Sequence, residues 1–206
     1  MSLNLPLKSQ PGEPAWEIAT LFPLQGQWSE GEYLGLDTNR MVELNQGTLE
    51  VLAVPTELHQ LIVQYLYRML FGLGSGSPPG VALTAPFRVR LSPGRFRQPD
   101  VMFMLNEHRA RRSNQFWEGA DLVIEVVSDD DPNRDLVVKR AEYAQARIAE
   151  YWIVDPRDRS LRVLTLDGDS AGTYREVGCY VDGQTAQSIL LAELSVDVSR
   201  AFDQPQ

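Results

Sequence analysis

Residues 121–127 read DLVIEVV, in which Asp121 is followed by an apolar run that is rich in β-branched residues and carries one carboxylate, Glu125, near its centre. A short apolar run of this kind predicts a strand buried inside a sheet. A carboxylate in a buried strand is costly unless it pairs with a cation or binds a metal. Glu125 therefore indicates either a functional site or a buried ion pair with an arginine, and both interpretations stay open at this point.

Other runs of the chain have the alternation or the β-branched composition of strands. They are Met41–Leu44, Thr48–Leu52, Val81–Ala85, Phe87–Leu91, Val101–Leu105, Tyr151–Asp155 and Leu161–Leu166. The first two flank Asn45-Gln46-Gly47, which predicts a β-hairpin.

Helical patterns are interspersed with these strands. Ser29 and Glu32 have the spacing of a capping box, which predicts a short helix over 29–36. Apolar residues at helical spacing predict a second helix over 55–70, and an Asp-Pro start predicts a third over 132–149. This order of elements predicts an α/β domain in the broad sense, an α+β mixed sheet flanked by helices.

The composition is that of a globular protein, with 206 residues, 43% hydrophobic and 23% charged. We expect a single domain over 29–206, preceded by an irregular proline-containing arm over 1–28. One cysteine and two histidines exclude an intramolecular disulfide, a cysteine-based zinc cluster and a histidine-rich metal site. No apolar run reaches the roughly 18–20 residues of a membrane span, so we expect a cytoplasmic protein with no membrane association.

A second carboxylate, Asp100, follows a proline and directly precedes the predicted strand Val101–Leu105. If this strand pairs antiparallel with 121–127, Asp100 and Glu125 share a face when the paired residue numbers sum to an odd value, such as 225 or 227. Two such carboxylates can hold Mg²⁺ or Mn²⁺, which polarises a phosphate and lowers the pKa of a bound water. The alternative for Asp100 is a turn residue after proline.

Lys139 lies on the flank of the apolar stripe of the third predicted helix. Its stem can follow the core while its ammonium reaches the edge of the sheet. A lysine beside two carboxylates is what phosphodiester hydrolysis needs, because it can hold the attacking water and offset charge on the phosphorane. The alternative is a solvated helix lysine in an i,i+4 pair with Asp135.

Four ordered motifs resemble those of a known family. They read QPDV at 98–101, DLVIEVVS at 121–128, DLVVKRAEY at 135–143 and EYWIVD at 150–155. Over 29–166 the sequence resembles the Uma-two family of bacterial restriction endonucleases, which belongs to the restriction-endonuclease-like PD-(D/E)xK superfamily. The resemblance implies a restriction-endonuclease-like core with an N-terminal hairpin extension, and an endonuclease that acts on DNA.

The resemblance also implies roles for individual residues. Asp100 and Glu125 match the two acidic ligands of Mg²⁺ or Mn²⁺, and Lys139 matches a catalytic lysine moved onto the following helix. Val127 occupies the position where an acidic-x-Lys motif would place that lysine. Nucleases of this class often cut as dimers, so we expect a homodimer whose interface involves the arm or the hairpin.

Four residues are named as supporting members of the site, Glu43, His59, Gln98 and Asp135. Glu43 is a candidate third ligand or base, although the alternation of a hairpin would place it outward. His59 begins the second predicted helix, where the alternative role is capping or packing.

The charge distribution leaves the function open. Residues 88–112 contain seven arginines and two acidic residues, and this local excess could track a phosphate backbone. The formal net charge of −9 argues against nonspecific coating of nucleic acid. Two alternatives to the endonuclease therefore remain: a non-catalytic binding module with the same fold, and a hydrolase of a small phosphorylated metabolite.

Overall fold

The computed structural model describes residues 23–38, 40–73, 79–168 and 172–203. Its strands are β1 Val42–Asn45, β2 Thr48–Val51, β3 Gly80–Thr84, β4 Arg88–Ser92, β5 Arg95–Arg97, β6 Val101–Leu105, β7 Phe116–Glu118, β8 Leu122–Val126, β9 Glu150–Asp155, β10 Ser160–Leu166, β11 Tyr174–Tyr180, β12 Thr185–Gln187 and β13 Ser195–Asp197. Its helices are α1 Glu30–Leu34, α2 Glu57–Phe71, α3 Arg140–Gln145 and α4 Val198–Phe202, with a 3₁₀-helix at Asn106–Arg111 and a π-helix at Arg134–Lys139.

Most of the predicted N-terminal arm lies outside the described residues. The part that is described, 23–28, contains no helix or strand. Each predicted strand is present, and its ends differ from the prediction by at most one residue. None of the helices in the described ranges combines the length and the apolar character needed to cross a bilayer.

A six-stranded sheet with the order β11-β10-β9-β8-β6-β3 forms the centre of the fold. Strands β8 and β9 are parallel, and the other neighbours are antiparallel. Every residue of β8 is buried, because α2 and α4 pack on one face of the sheet and α3 packs on the other. The predicted mixed α+β sheet flanked by helices is confirmed.

The start of α2 places one of the predicted site residues. Thr56 caps the helix, since its hydroxyl oxygen accepts a hydrogen bond from the backbone N–H of His59 at 3.2 Å. Ile62 and Leu66 lie on the buried side of α2 and pack against the sheet. His59 is thereby held in the first turn, beside Asp100.

The predicted hairpin is part of a second sheet. Gln46 and Gly47 form its turn with positive φ angles of 48° and 81°, as a two-residue type I′ turn requires. Strand β1 also pairs with β5, within a five-stranded sheet of order β2-β1-β5-β4-β7. The capping box of Ser29 and Glu32 is present in full, and α1 packs Tyr33 against this sheet. The two strands of the hairpin are therefore part of the five-stranded sheet.

The third predicted helix ends earlier than expected. The prediction placed its end at 149, whereas α3 ends at Gln145. Arg147 adopts a positive φ of 63°, and the next residue, Ile148, donates its N–H to the carbonyl of Tyr143 at 3.1 Å. This is the closure of a Schellman motif, in which glycine usually takes the left-handed position. An arginine at that position concealed the helix end in the sequence.

Candidate active site

The pairing of β6 with β8 decides where the two predicted carboxylates lie. The strands are antiparallel, and Val101 lies opposite Ile124. The paired numbers sum to 225, one of the expected registers, so Asp100 lies across from Glu125. The backbone N–H of Asp100 donates to Glu125 Oε2 at 3.3 Å. The register thus brings the two acidic residues into direct contact.

Both carboxylates line one cleft with a volume of about 670 Å³. His59 borders this cleft from α2, and Asp135 and Lys139 border it from the π-helix. Gln98 lines it as well, whereas Glu43 is the one predicted site residue that does not. We call this space the acidic cleft.

Asp100 is held in place by two contacts. Its Oδ2 accepts a hydrogen bond from the backbone N–H of Val126 at 2.8 Å, and its Oδ1 lies 3.0 Å from His59 Nε2. Burial alone would lower the pKa of His59, but the hydrogen bond and the negative charge of Asp100 outweigh burial and raise it. His59 therefore orients Asp100 and tends to carry a positive charge there.

Glu125 is 2% exposed and is contacted on both oxygens. Lys139 Nζ lies 2.9 Å from its Oε1, which also accepts a hydrogen bond from the hydroxyl of Tyr143. Burial raises the pKa of Glu125 to about 8, since the opposing effect of Lys139 is offset by the negative charges of Asp100 and Asp135. With this pKa, the carboxyl group is mostly neutral at pH 7 and becomes mostly ionised above about pH 8.

Lys139 is 5% exposed, so the alternative of a solvated lysine is wrong. Its Nζ lies 2.9 Å from Glu125 Oε1 and 2.9 Å from Asp135 Oδ1. The i,i+4 pair with Asp135 is present, and the lysine reaches the strand carboxylate as well. Burial disfavours the ammonium, but the two carboxylates outweigh burial and raise the pKa of Lys139 above its ordinary value. Lys139 is therefore charged at neutral pH.

Comparison with known proteins identifies the family. The family model of Uma2, described as "Putative restriction endonuclease", matches residues 30–199. The chain belongs to the Uma2 family. The resemblance inferred from the motifs is confirmed, and the match extends beyond 166 to include the C-terminal strands. No curated protein matches the sequence.

A solved structure shares the fold of this Uma2 protein. It is the crystal structure of "a putative nuclease belonging to DUF820" from Anabaena variabilis ATCC 29413. The TM-score is 0.68 at 15% sequence identity, and the alignment covers 87% of this chain and 98% of that chain. The mixed α+β fold expected from the sequence therefore has a counterpart among solved structures.

In this Uma2 protein Glu43 faces cations and not the acidic cleft. It is fully buried; its Oε1 accepts the backbone N–H of Gln98 at 2.7 Å, and its Oε2 accepts from Arg97 and Arg134. The alternation of the hairpin does not expose it to solvent, because Arg97 and Arg134 contact its carboxylate on that face of the sheet. Burial alone would raise the pKa of Glu43, but Lys139 and the two arginines together lower it. Glu43 is thus ionised, and it holds the backbone at Gln98, two residues before Asp100.

Tyr143, Arg97 and Arg134 were not predicted from the sequence as members of the site or its surroundings. Tyr143 lies four residues after Lys139, a spacing that places both on one side of a helix and could have indicated its contact with Glu125. No local pattern marks the two arginines, since their partners lie on the hairpin and on α3.

Four of the seven arginines in segment 88–112 contact protein carboxylates. Arg90 pairs with Glu30 and Glu118, Arg111 pairs with Asp121, and Arg97 is buried. Protein carboxylates neutralise these cations, so the local excess is weak support for a nucleic-acid partner.

The acidic cleft fits a divalent cation by its donors and its charge. Among the described residues, no three or more His, Cys, Asp or Glu side chains are grouped as a metal site. Mg²⁺ does not require such a group, because it keeps several waters and is commonly bound by one or two carboxylates together with substrate phosphates. Asp100, Glu125 and Asp135 face the cations of Lys139 and His59, and a divalent ion would compensate the negative charge that Glu125 gains when it ionises.

Proposed function

We propose that this Uma2 protein is a metal-dependent endonuclease that hydrolyses phosphodiester bonds of DNA. The observation that carries the proposal is the convergence of Asp100 and Glu125 on one cleft, with Lys139 Nζ 2.9 Å from Glu125. The Uma2 family and the Anabaena protein of similar fold are both described as nucleases, which supports the proposal.

Asp100 and Glu125 are the residues that would hold Mg²⁺ or Mn²⁺. When bound, the ion supplies polarisation of the scissile phosphate and a water of lowered pKa. His59 keeps Asp100 in one orientation through the contact at 3.0 Å. The backbone N–H of Val126 holds the second oxygen of Asp100. Together these contacts fix the ligand before a substrate arrives, which reduces the reorganisation that the reaction requires.

Lys139 acts through its charge in this proposal. Because Glu125 and Asp135 raise its pKa, it is not a general base near neutral pH. Its ammonium can instead donate hydrogen bonds to the attacking water and stabilise negative charge on the phosphate. Asp135 keeps this ammonium in place from the same helix, at 2.9 Å.

Cleavage of supercoiled plasmid DNA tests the proposal. With Mg²⁺ or Mn²⁺, the protein is expected to produce nicked and linear plasmid, and excess EDTA is expected to stop the reaction. An Asp100→Asn preparation, purified in parallel, measures contaminating nuclease. Equal cleavage by both preparations, or cleavage that EDTA does not reduce, would show that the activity does not belong to this site.

The affinity for Mn²⁺ is expected to rise with pH up to about 8. Below the raised pKa of Glu125 the ion must displace a proton from a neutral carboxyl group, so the apparent affinity falls about tenfold per pH unit. Calorimetric titrations at pH 6, 7, 8 and 9 measure this dependence. In Glu125→Gln the slope is expected to vanish along with most of the affinity, and an unchanged affinity in that variant would refute the assignment of Glu125 as a ligand.

Lys139→Met is expected to lower the cleavage rate by about a hundredfold or more, because the positive charge that stabilises the transition state is lost. The change also removes the influence that lowers the pKa of Glu125, so Mn²⁺ binding should shift to still higher pH. The exposed residue Arg175 provides a control, since Arg175→Met removes a charge from a residue that does not line the acidic cleft. A Lys139→Met protein that is folded and fully active would exclude Lys139 from the reaction.

One observation favours the non-catalytic binding module as a second candidate. Glu125 already accepts contacts from Lys139 and Tyr143, so the protein itself satisfies this carboxylate without an ion. Failure to bind Mn²⁺ at pH 8 and failure to cleave plasmid would together favour this function. The homodimer stays a prediction, as most of the arm expected at its interface lies outside the described residues.

A further inference from the structure

A second cleft adjoins the acidic cleft beyond Asp100. It has a volume of about 600 Å³ and is lined by α2 and by the turn that joins β3 to β4. Gln60, Ala85 and Asp100 line both clefts. A molecule in the second cleft would therefore lie next to the carboxylates, and the two spaces can receive neighbouring parts of one substrate.

The walls of the second cleft combine aromatic and amide side chains. Tyr67 and Phe87 are half-buried and contribute their rings, while Gln60 and Gln64 contribute exposed amides. Among the described residues that line this cleft, Asp100 is the only charged one. The cleft therefore differs in character from the acidic cleft beside it.

These walls select for a particular ligand chemistry. A phosphate is disfavoured because the single charge that faces it is a carboxylate. A flat heteroaromatic ring fits, since it can stack on the faces of Tyr67 and Phe87. Glutamine amides each offer a donor and an acceptor, and these can pair with the polar edge of such a ring.

We propose that the second cleft is a base subsite, which binds the base of a nucleotide that neighbours the scissile phosphate. This inference rests on the proposed function, because it places that phosphate at Asp100 and Glu125. A base can enter a cleft only when it has left the duplex stack. The protein therefore prefers single-stranded or unpaired nucleic acid. The pairing of four of the seven arginines of segment 88–112 with protein carboxylates agrees with this preference, because it reduces the positive charge available to a duplex backbone.

Binding of labelled oligonucleotides tests the base subsite. The probes are a fluorescein-labelled DNA strand of about 12 nucleotides, which is within the site size of single-strand-binding proteins, its duplex, and an RNA strand of the same sequence. Fluorescence anisotropy is recorded with Ca²⁺ in place of Mg²⁺ to suppress cleavage. Wild-type protein is expected to bind the single strand more tightly than the duplex.

Tyr67→Leu and Phe87→Leu keep apolar volume and remove the aromatic face. Each is expected to weaken binding of the single strand about tenfold, as loss of one stacked base does. Tyr67→Phe should restore wild-type affinity because it keeps the ring. Tyr180→Leu is the matched control, since it makes the same aromatic-to-leucine change on β11 and Tyr180 lines neither cleft. The probe that the leucine variants bind more weakly than wild type, DNA or RNA, identifies the polymer whose base occupies the cleft.

The outcomes separate this inference from the catalytic proposal. Leucine variants that bind both single strands as tightly as wild type would overturn the base subsite, even if plasmid cleavage is confirmed. Weakened binding in these variants, together with a wild-type protein that never cleaves, would support the subsite and overturn the nuclease. Tighter binding of the duplex than of either single strand would also overturn the subsite.

Discussion

Asp100→Asn is expected to lower the rate of plasmid cleavage by at least about a thousandfold, because one of two charged ligands of the cation is lost. The fold should tolerate the change. Asparagine keeps an oxygen that can accept the backbone N–H of Val126, now bonded to Asp100 at 2.8 Å. Loss of the Asp100 charge removes the influence that raises the pKa of His59, so its ring can be neutral in the variant. The amide group of asparagine can then donate a hydrogen bond to this ring, which lies 3.0 Å from the carboxylate in the wild type. Activity and stability are thereby separated in one variant.

Initial rates of plasmid nicking with Mg²⁺ measure the effect, and thermal unfolding verifies that the variant is folded. Glu193→Gln is the matched control, because it removes the charge of an exposed carboxylate outside the acidic cleft. The control is expected to cleave at the wild-type rate. An Asp100→Asn protein that retains wild-type activity would contradict both the metal site and the catalytic proposal.

Arg97→Met is expected to cause the largest loss of stability, about 3–5 kcal/mol, as the removal of one partner from a buried ion pair does. Arg97 is 1% exposed and donates to both oxygens of Glu142, at 2.7 and 2.8 Å. Its NH1 also donates to Glu43 at 2.9 Å and to Glu50 at 2.6 Å. Methionine fills much of the same volume but leaves these carboxylates without their shared cation.

Urea denaturation followed by tryptophan fluorescence measures the free energy of unfolding. Arg159→Met is the control, because Arg159 also bridges two carboxylates, those of Asp182 and Asp203, but all three side chains are exposed to solvent. Solvent screens such a pair, so its loss should change stability much less. Equal destabilisation by the two substitutions would show that the buried cluster does not support the fold. In Arg97→Met we also expect weaker cleavage, since Glu43 holds the backbone N–H of Gln98, two residues before Asp100.

Local patterns were sufficient for five of the six strands of the central sheet, and only β11 was not predicted. The apolar run of β8 has one polar residue, and an apolar strand can bury both faces only at the centre of a sheet. Side-chain alternation then limited the register, because a shift by one residue would have sent Asp100 and Glu125 to opposite faces. The short strands β5 and β7 escaped prediction, since three residues are too few to show a period.

The position of Lys139 shows where local patterns stop. An α-helical projection placed it at the flank of the helix, and the π-helix brings it to Glu125 and Asp135 at 2.9 Å. A π-helix has hydrogen bonds between residues i and i+5, which change the angular spacing of side chains relative to an α-helix, and no residue type in the sequence predicts this change. Tyr151 contributes from the sheet, because its hydroxyl donates to the carbonyl of Asp135 at 3.0 Å.

The sequence alone determined the fold class, because hydrophobic periodicity and strand alternation are properties of neighbours along the chain. Its four ordered motifs carried the resemblance to the family and indicated Asp100 and Glu125 as candidate site residues. Only the tertiary structure decided that Glu43 faces Arg97 and Arg134, that four arginines of segment 88–112 pair with carboxylates, and that an aromatic cleft adjoins Asp100. These features join residues that are distant in sequence, and the energy of a charge or a ring depends on which groups surround it in space.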